Sequence, residues 1–318
     1  MTSAELPLTT TRGEAGIAGL DAETERSPRL DGRGADGVRA LRDRLARLIV
    51  WAAFGTAVLP LFWILWTVVS HGAGLLATST WWTHSQRNIN AADAGGGAVH
   101  AIQGTLIQAA VTAAISVPIA VFTAVYLVEY GRGRPARAVS FAVDVLSGVP
   151  SIVAALVVYA VWVTTFGLQR VGFAVSLALV LLMIPVVVRS TEEMLKLVPH
   201  ELREASLALG VPRWITVTRV VLPTAFSGIV TGILLGLARV MGETAPLLIL
   251  GPYTKNIATN LFSGSMPTLP TMINQDRTET GIDTAVERMW AAALTLIALV
   301  LLLNLAGRLV ARLGTVRT

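Results

Sequence analysis

Two charged side chains, Arg239 and Glu243, interrupt an otherwise apolar stretch that extends over about residues 220–249. If this stretch enters the bilayer near Pro223, Arg239 lies ~24 Å further along the helix axis. A charge at that depth costs ~2.5 to more than 10 kcal/mol, so it requires a partner or a water-filled cavity. The four-residue spacing places both side chains on one helical face. It predicts either an internal ion pair or a contact site for an anion on a transport path.

The chemistry of an arginine beside a glutamate suits phosphate. A guanidinium presents a planar fork of donors that binds two oxygens at once. A carboxylate accepts a hydrogen bond only from an oxygen that carries a proton, and phosphate is protonated near neutral pH whereas sulfate is not. Our hypothesis is therefore that such a pair favours phosphate and repels sulfate.

The third span contains a further candidate for the same path. The run L-S-G-V-P-S-I-V from Leu146 to Val153 predicts a broken helix, which is tolerated at membrane depth when it is buried in protein or faces water. Ser151 and the free backbone N–H groups beside it are then candidates for contacting an anion; the alternative is a kink that serves packing. Arg189 lies near the cytoplasmic end of span four, where snorkelling of its side chain to the interface explains its position. Asp144 is predicted to pair with an arginine or to pack against polar groups.

A second pattern lies in the charged segment 192–219, which we call the coupling segment. Pro199 suits the first turn of a helix, Glu201 and Glu204 suit its positive end, and Gly210 suits a C-terminal cap. The face formed by Leu202, Ala205, Ser206 and Leu209 is small and mostly apolar. Such a face is shaped to sit in a groove of another protein.

The composition indicates a polytopic membrane protein: 53% of the 318 residues are hydrophobic and 14% are charged. No cysteine is present, which excludes disulfides and thiol catalysis, and the four histidines lack metal-ligand spacing. We expect no metal site, no bound cofactor and no nucleic-acid partner. The pattern G-x-x-x-x-G-K-[ST] does not occur, so the chain is not expected to hydrolyse ATP itself.

Six membrane spans are predicted, and they place these residues. We expect a disordered cytoplasmic tail over 1–46, whose last part, Val38 to Arg47, forms an amphipathic helix, and a permease domain over 47–318. Basic residues cluster before span one, between spans two and three, between spans four and five, and at the C-terminus, so both termini are predicted to be cytoplasmic. The spans are expected near 47–70, 99–129, 137–166, 171–191, 220–249 and 288–311.

The motifs together resemble those of ABC importer permeases. Glu204, Ala205 and Gly210 stand at the spacing of the "EAA loop", with Ser206 in place of the second alanine. L-A-R-V-M-G-E-T-A-P-L-L from Leu237 to Leu248 resembles the signature of Pst-type phosphate importers. Together with L-S-G-V-P-S-I-V and the run that begins at Arg189, it indicates the A-type permease subunit.

This resemblance implies an all-α fold with six transmembrane helices, of the type I ABC importer (MetI-like) kind, in the cytoplasmic membrane. It implies that Arg239 with Glu243, and the adjacent Thr244, contribute to the phosphate path, with Arg189 as a weaker candidate, and that Glu204 to Gly210 bind the ATPase. The implied partners are a second, C-type permease, a cytoplasmic ATPase dimer that carries ATP and Mg²⁺, an extracytoplasmic phosphate-binding protein, and membrane lipid.

Three alternatives remain open at this point. In the first alternative, the chain is an ABC permease whose cargo is another oxyanion, such as sulfate or molybdate. The protonation argument and the G-E-T-A-P run disfavour this cargo. In the second alternative, the chain is an ion-coupled secondary transporter. Such folds usually show paired broken helices in repeated halves, and no second copy of either motif is visible in this sequence. An intramembrane enzyme is the weakest alternative, because no nucleophile with a base and no metal set is visible.

Overall fold

The structure, a computed structural model, describes residues 33–279 and 281–314, and it is helical in all its regular elements. Residues 1–32 of the predicted tail lie outside the described range, whereas residues 33–46 are part of the first helix. The helices are α1 Arg33–Leu76, α2 Ser79–Thr83, α3 Val99–Val125, α4 Gly133–Gly148, α5 Ser151–Tyr159, α6 Gly172–Lys196, α7 His200–Ala208, α8 Arg213–Thr216, α9 Leu222–Met241, α10 Ala245–Leu250, α11 Leu269–Thr278 and α12 Asp283–Gly314. Three π-helical turns extend α3, α5 and α8; they are Tyr126–Tyr130, Ala160–Thr165 and Val217–Val221.

Five helical stretches of the described residues are long and apolar enough to cross a membrane, and a bent pair makes up to six. The bent pair is Gly133–Gly148 with Ser151–Thr165, which meet at 105°. It corresponds to the third predicted span. The prediction of an all-α membrane protein is confirmed, while the side of the membrane on which each terminus lies stays a prediction.

The bend between α4 and α5 arises at Val149 and Pro150, which both have extended backbones. Pro150 has no N–H to continue the α4 ladder, and its own carbonyl begins the next helix by accepting from Val153 N at 2.9 Å. The predicted broken helix at 146–153 is therefore confirmed.

A second break separates α9 from α10 over residues 242–244, within the stretch that we predicted to be one span, 220–249. Pro246 lies in the first turn of α10. In a continuous helix its ring would clash with the carbonyl of Gly242, four residues earlier, so the helix is interrupted before it. The chain thus contains two broken helices, and α5 packs against α10. The lack of a second motif copy, our argument against paired broken helices, therefore does not exclude a second break.

Three glycines spaced by four residues bring α9 close to α6. A Cβ atom added to Gly228 would lie 2.2 Å from Met194 Sδ, and one added to Gly232 would lie 2.2 Å from Ser190 Oγ. Gly236 continues the same face, and a Cβ atom added to it would lie 3.1 Å from Val187 Cγ2. Small residues at this spacing let helix backbones approach closely in membranes. The register shows that α6 and α9 are an antiparallel, tightly packed pair.

Buried polar side chains join the loop after α2, the start of α3, the loop after α10, α11 and the start of α12. We call this region, at the end of the bundle opposite α7, the distal end. Tyr253 donates a hydrogen bond to Gln86 Oε1 at 2.8 Å, and Gln86 donates to Asp276 at 3.3 Å. His100 is hydrogen-bonded to Tyr253 at 3.1 Å. Burial raises the pKa of the Asp276 carboxyl and of the Tyr253 hydroxyl. Arg288, 2% exposed, donates to backbone carbonyls of the loop after α2, and the network thereby fixes the distal loops to α11 and α12.

Candidate functional site

Arg239 occupies the last turn of α9 and its side chain is exposed. Within the described residues it makes no hydrogen bond and no ion pair. The buried face of α9, which contains Ala225, Ile229, Gly232, Gly236 and Val240, points into the bundle, and Arg239 lies off that face. The structure therefore presents a free guanidinium near the break in a membrane-spanning element.

Of the two predictions for Arg239 and Glu243, the internal ion pair does not form among the described residues, whereas the anion-contact site stays a prediction. A four-residue spacing aligns two side chains only where the helix is continuous, and α9 ends at Met241. Gly242 N and Glu243 N bond to the carbonyls of Arg239 and Val240, three residues back, so the last turn tightens before the chain leaves the helix. Glu243 and Thr244 are half-buried, and no side-chain hydrogen bond of theirs occurs among the described residues.

On the inner side of the same break, a small cavity lies among α3, α6, α10 and α11. The volume open to the centre of a water-sized sphere is about 10 Å³, close to the minimum for one water. Gln108, 2% exposed, is one of its few polar lining residues, with Thr105 and Thr268. Gln108 was missed in the sequence, where it is one of two amides, with Gln103, within the apolar run 99–129.

Ser151 is the first residue of α5, at the other break, and is half-buried. Because α5 packs on α10, the two broken elements of the subunit are neighbours. The structure thus brings the element that begins with Ser151 to the short helix that follows Glu243 and Thr244. It does not bring Ser151 into hydrogen-bond contact with Arg239.

The Arg189 guanidinium donates hydrogen bonds to three residues. It donates to Glu192 Oε2 at 2.5 Å, to the carbonyl and hydroxyl of Ser140 at 3.1 and 3.0 Å, and to Asp144. Asp144 therefore pairs with an arginine, as one of our two expectations had it. These bonds join α6 to α4, the first half of the bent pair.

The two arginines stand at different depths on the α6–α9 pair. Ser190, adjacent to Arg189, faces Gly232, and Arg239 lies seven residues beyond Gly232. Seven helical residues correspond to ~10 Å along the axis. In this conformation Arg189 and Arg239 are separate groups and do not form one binding cleft.

The coupling segment contains the predicted short helix, α7, and its predicted cap. Gly210 has φ +78°, and the bonds Val211 N to Ser206 O and Gly210 N to Leu207 O form a Schellman motif. Pro199 precedes the helix as its N-cap and does not lie in its first turn.

Most of the face predicted to bind a partner lies open on the surface. Glu204 and Ala205 are exposed, as are Leu202 and Leu209, at 42% and 83%. Ser206 departs from the predicted face, because its hydroxyl turns inward to Thr216 at 2.9 Å. The outer surface of α7 is therefore available for a partner.

Comparison with known proteins places the chain in a family. Residues 116–313 match the family described as "Binding-protein-dependent transport system inner membrane component". The phosphate transport system permease protein PstA 1 of Mycobacterium tuberculosis (strain CDC 1551 / Oshkosh) is 50% identical over 279 residues, which cover 88% of this chain and 91% of that protein. PstA of Mycobacterium leprae (strain TN) is 50% identical over 269 residues, 85% and 88% of the two chains.

Solved structures share the fold at low identity. A chain of the inward-facing MetNI methionine ABC transporter has a TM-score of 0.54 at 22% identity and covers 68% of this chain and 94% of its own. A chain of a bacterial alginate ABC transporter has a TM-score of 0.57 at 15% identity, covering 85% and 96%. The expected MetI-like architecture is thereby confirmed. The chain belongs to the family of inner-membrane permease components of binding-protein-dependent transport systems, among the PstA phosphate transport permeases.

Proposed function

We propose that this chain is a permease subunit of an ATP-driven importer that moves inorganic phosphate across the cytoplasmic membrane. The observation that carries the proposal is Arg239, an exposed guanidinium without a protein partner in the described residues, at a break in a membrane-spanning element. Such a charge needs an anion, a wet path or a second subunit. Membership among phosphate permeases selects phosphate as that anion.

Arg239 supplies the fork that binds two phosphate oxygens. Glu243 and Thr244, two and three residues beyond the end of α9, are the next polar groups along the path, and Glu243 accepts a hydrogen bond from the proton-bearing oxygen. Ser151 and the N-terminal N–H groups of α5 form the opposite wall. Arg189 joins the path in a different conformation, once Asp144, whose side chain is 62% exposed, releases it.

The energy for transport comes from another polypeptide. The chain contains no Walker A sequence, and its coupling helix α7 presents Glu204, Ala205 and Leu209 outward for an ATPase dimer that holds ATP and Mg²⁺. A second, C-type permease covers Arg239 and completes the path, and a phosphate-binding protein delivers the cargo at the distal end. Both termini face the cytoplasm, as the distribution of basic residues indicates.

The test is radiolabelled phosphate uptake in cells that lack other phosphate importers, at equal membrane levels of each variant. Arg239→Gln is expected to abolish uptake and to leave the ATPase bound during purification. Glu204→Lys is expected to abolish uptake and to lose the ATPase. Normal uptake by Arg239→Gln overturns the role of this arginine, and competition by sulfate as strong as by phosphate overturns the choice of cargo.

A further inference from the structure

The coupling helix α7 touches the bundle through very few side chains. Of its nine residues, His200–Ala208, only Arg203 and Ser206 are half-buried, and the others are exposed. Ser206 bonds to Thr216 of α8, within the coupling segment itself. Arg203 is thus the side chain of α7 that reaches out of the coupling segment to α3.

The Arg203 guanidinium makes four hydrogen bonds to two other elements. Its Nε and Nη2 donate to Glu129 Oε1 at 3.0 and 2.9 Å, where Glu129 belongs to the π-helical turn that ends α3. Its Nη1 and Nη2 donate to the carbonyls of Val198 and Leu195 at 2.6 and 2.8 Å, at the C-terminal end of α6. The Glu129 side chain is 5% exposed and that of Arg203 is 14% exposed.

This geometry is specific to arginine. A guanidinium is planar and rigid, so it holds the carboxylate and the two carbonyls in a fixed arrangement, whereas an ammonium on a flexible stem does not. A second contact supports the same junction, because the Arg213 guanidinium of α8 lies over the Tyr130 ring at 5.4 Å. Each helix of the helix-turn-helix 200–216 therefore contacts the π-helical turn Tyr126–Tyr130 through one arginine.

We propose that Arg203 is the positioning residue that transmits movement of α7 to the ends of α3 and α6. The proposal rests on the proposed function, in which the ATPase moves α7. α6 carries Arg189 and packs on α9 through the glycine face, and α9 carries Arg239. A displacement of Arg203 accordingly reaches both intramembrane arginines through contiguous packed helices.

The test compares ATP hydrolysis with phosphate transport in the complete transporter, reconstituted in vesicles with the binding protein and phosphate. Arg203→Lys and Glu129→Gln are expected to keep the ATPase bound and hydrolysing, while the phosphate moved per ATP falls at least ~5-fold, the lower range of measured coupling between sites. Arg134→Lys is the matched control. It replaces an exposed arginine in the first turn of α4 and is expected to change neither quantity.

A covalent replacement of the contact sharpens the test, since the native chain contains no cysteine. The double variant Glu129→Cys with Arg203→Cys is expected to hydrolyse ATP without transport. A short bifunctional thiol reagent that joins the two positions is expected to restore the phosphate moved per ATP.

Three results would overturn the inference: full coupling in Arg203→Lys, dissociation of the ATPase in both single variants, or a cross-linked double variant that stays uncoupled. Failure of the proposed function is distinguishable, because an unaltered chain that neither retains an ATPase nor transports phosphate shows it directly.

Discussion

Arg189 and Arg239 lie on one packed helix pair, yet their surroundings differ in every respect. Arg189 is bonded to two carboxylates and a serine, and it ties α6 to α4. Arg239 is exposed and has no partner within the described part of the chain. A charged group that protein atoms satisfy contributes to structure, whereas one that they leave unsatisfied is available to a cargo or to another subunit. In this conformation Arg189 is held by protein contacts, whereas the Arg239 guanidinium is available to a cargo or to another subunit.

The largest expected difference between them is in stability. Arg189→Gln leaves Glu192, whose side chain is 6% exposed, without its counter-charge, and removal of one partner of a buried pair costs ~3 kcal/mol or more. Arg239→Gln breaks no side-chain hydrogen bond or ion pair among the described residues and is expected to change the free energy of unfolding by less than ~0.5 kcal/mol. Denaturant unfolding of both purified variants in detergent measures this difference. Equal destabilisation would contradict the comparison.

A smaller effect is expected from glycines beside each arginine. A Cβ in Gly232→Ala would meet Ser190 Oγ at 2.2 Å, so the α6–α9 pair must separate, at ~1–3 kcal/mol. Gly242→Ala serves as the control, because its added Cβ would lie 3.8 Å from the Arg239 carbonyl oxygen, an ordinary van der Waals contact, and its φ is −93°. The melting temperature is expected to fall in Gly232→Ala and to stay unchanged in Gly242→Ala. An unchanged melting temperature for Gly232→Ala would show that the two helices are less tightly packed.

The smallest effect is expected at Asp144. Its side chain is 62% exposed, and ion pairs with an exposed partner contribute less than ~1 kcal/mol. Asp144→Asn is therefore expected to leave unfolding nearly unchanged, while it removes one charged partner of Arg189 and leaves the bonds to Glu192 and Ser140. The same unfolding assay, run beside phosphate uptake, checks both parts. A loss of stability as large as that of Arg189→Gln would mean that Asp144, and not Glu192, holds this arginine.

Local signals in the sequence were sufficient for part of this structure. The Gly148–Pro150 run predicted the bend between α4 and α5, and Gly210 predicted the end of α7, because backbone conformation at these positions depends on the residue itself. The long apolar runs predicted the spans in the same way.

Other features depend on contacts that no local pattern specifies. The pairing of Arg239 with Glu243 failed because its four-residue spacing assumed a continuous helix, although Pro246 was a visible sign against one. Arg203 and Glu129 are 74 residues apart, and only the fold brings them together. Gln108 similarly became significant only when the cavity beside Val240 and Met241 was located.

The polar network at the distal end has a consequence for the order in which the molecule is assembled. Its hydrogen bonds join residues far apart in the chain: Tyr253 and Gln86 are 167 positions apart, Gln86 and Asp276 are 190, and Trp81 and Thr295 are 214. The Arg189–Asp144 contact spans only 45. Contacts between distant segments form late, and these cannot form before the ribosome has delivered α11 and α12. The distal end is thus completed last during synthesis, and a chain arrested before α11 would leave Gln86 and Trp81 without their partners.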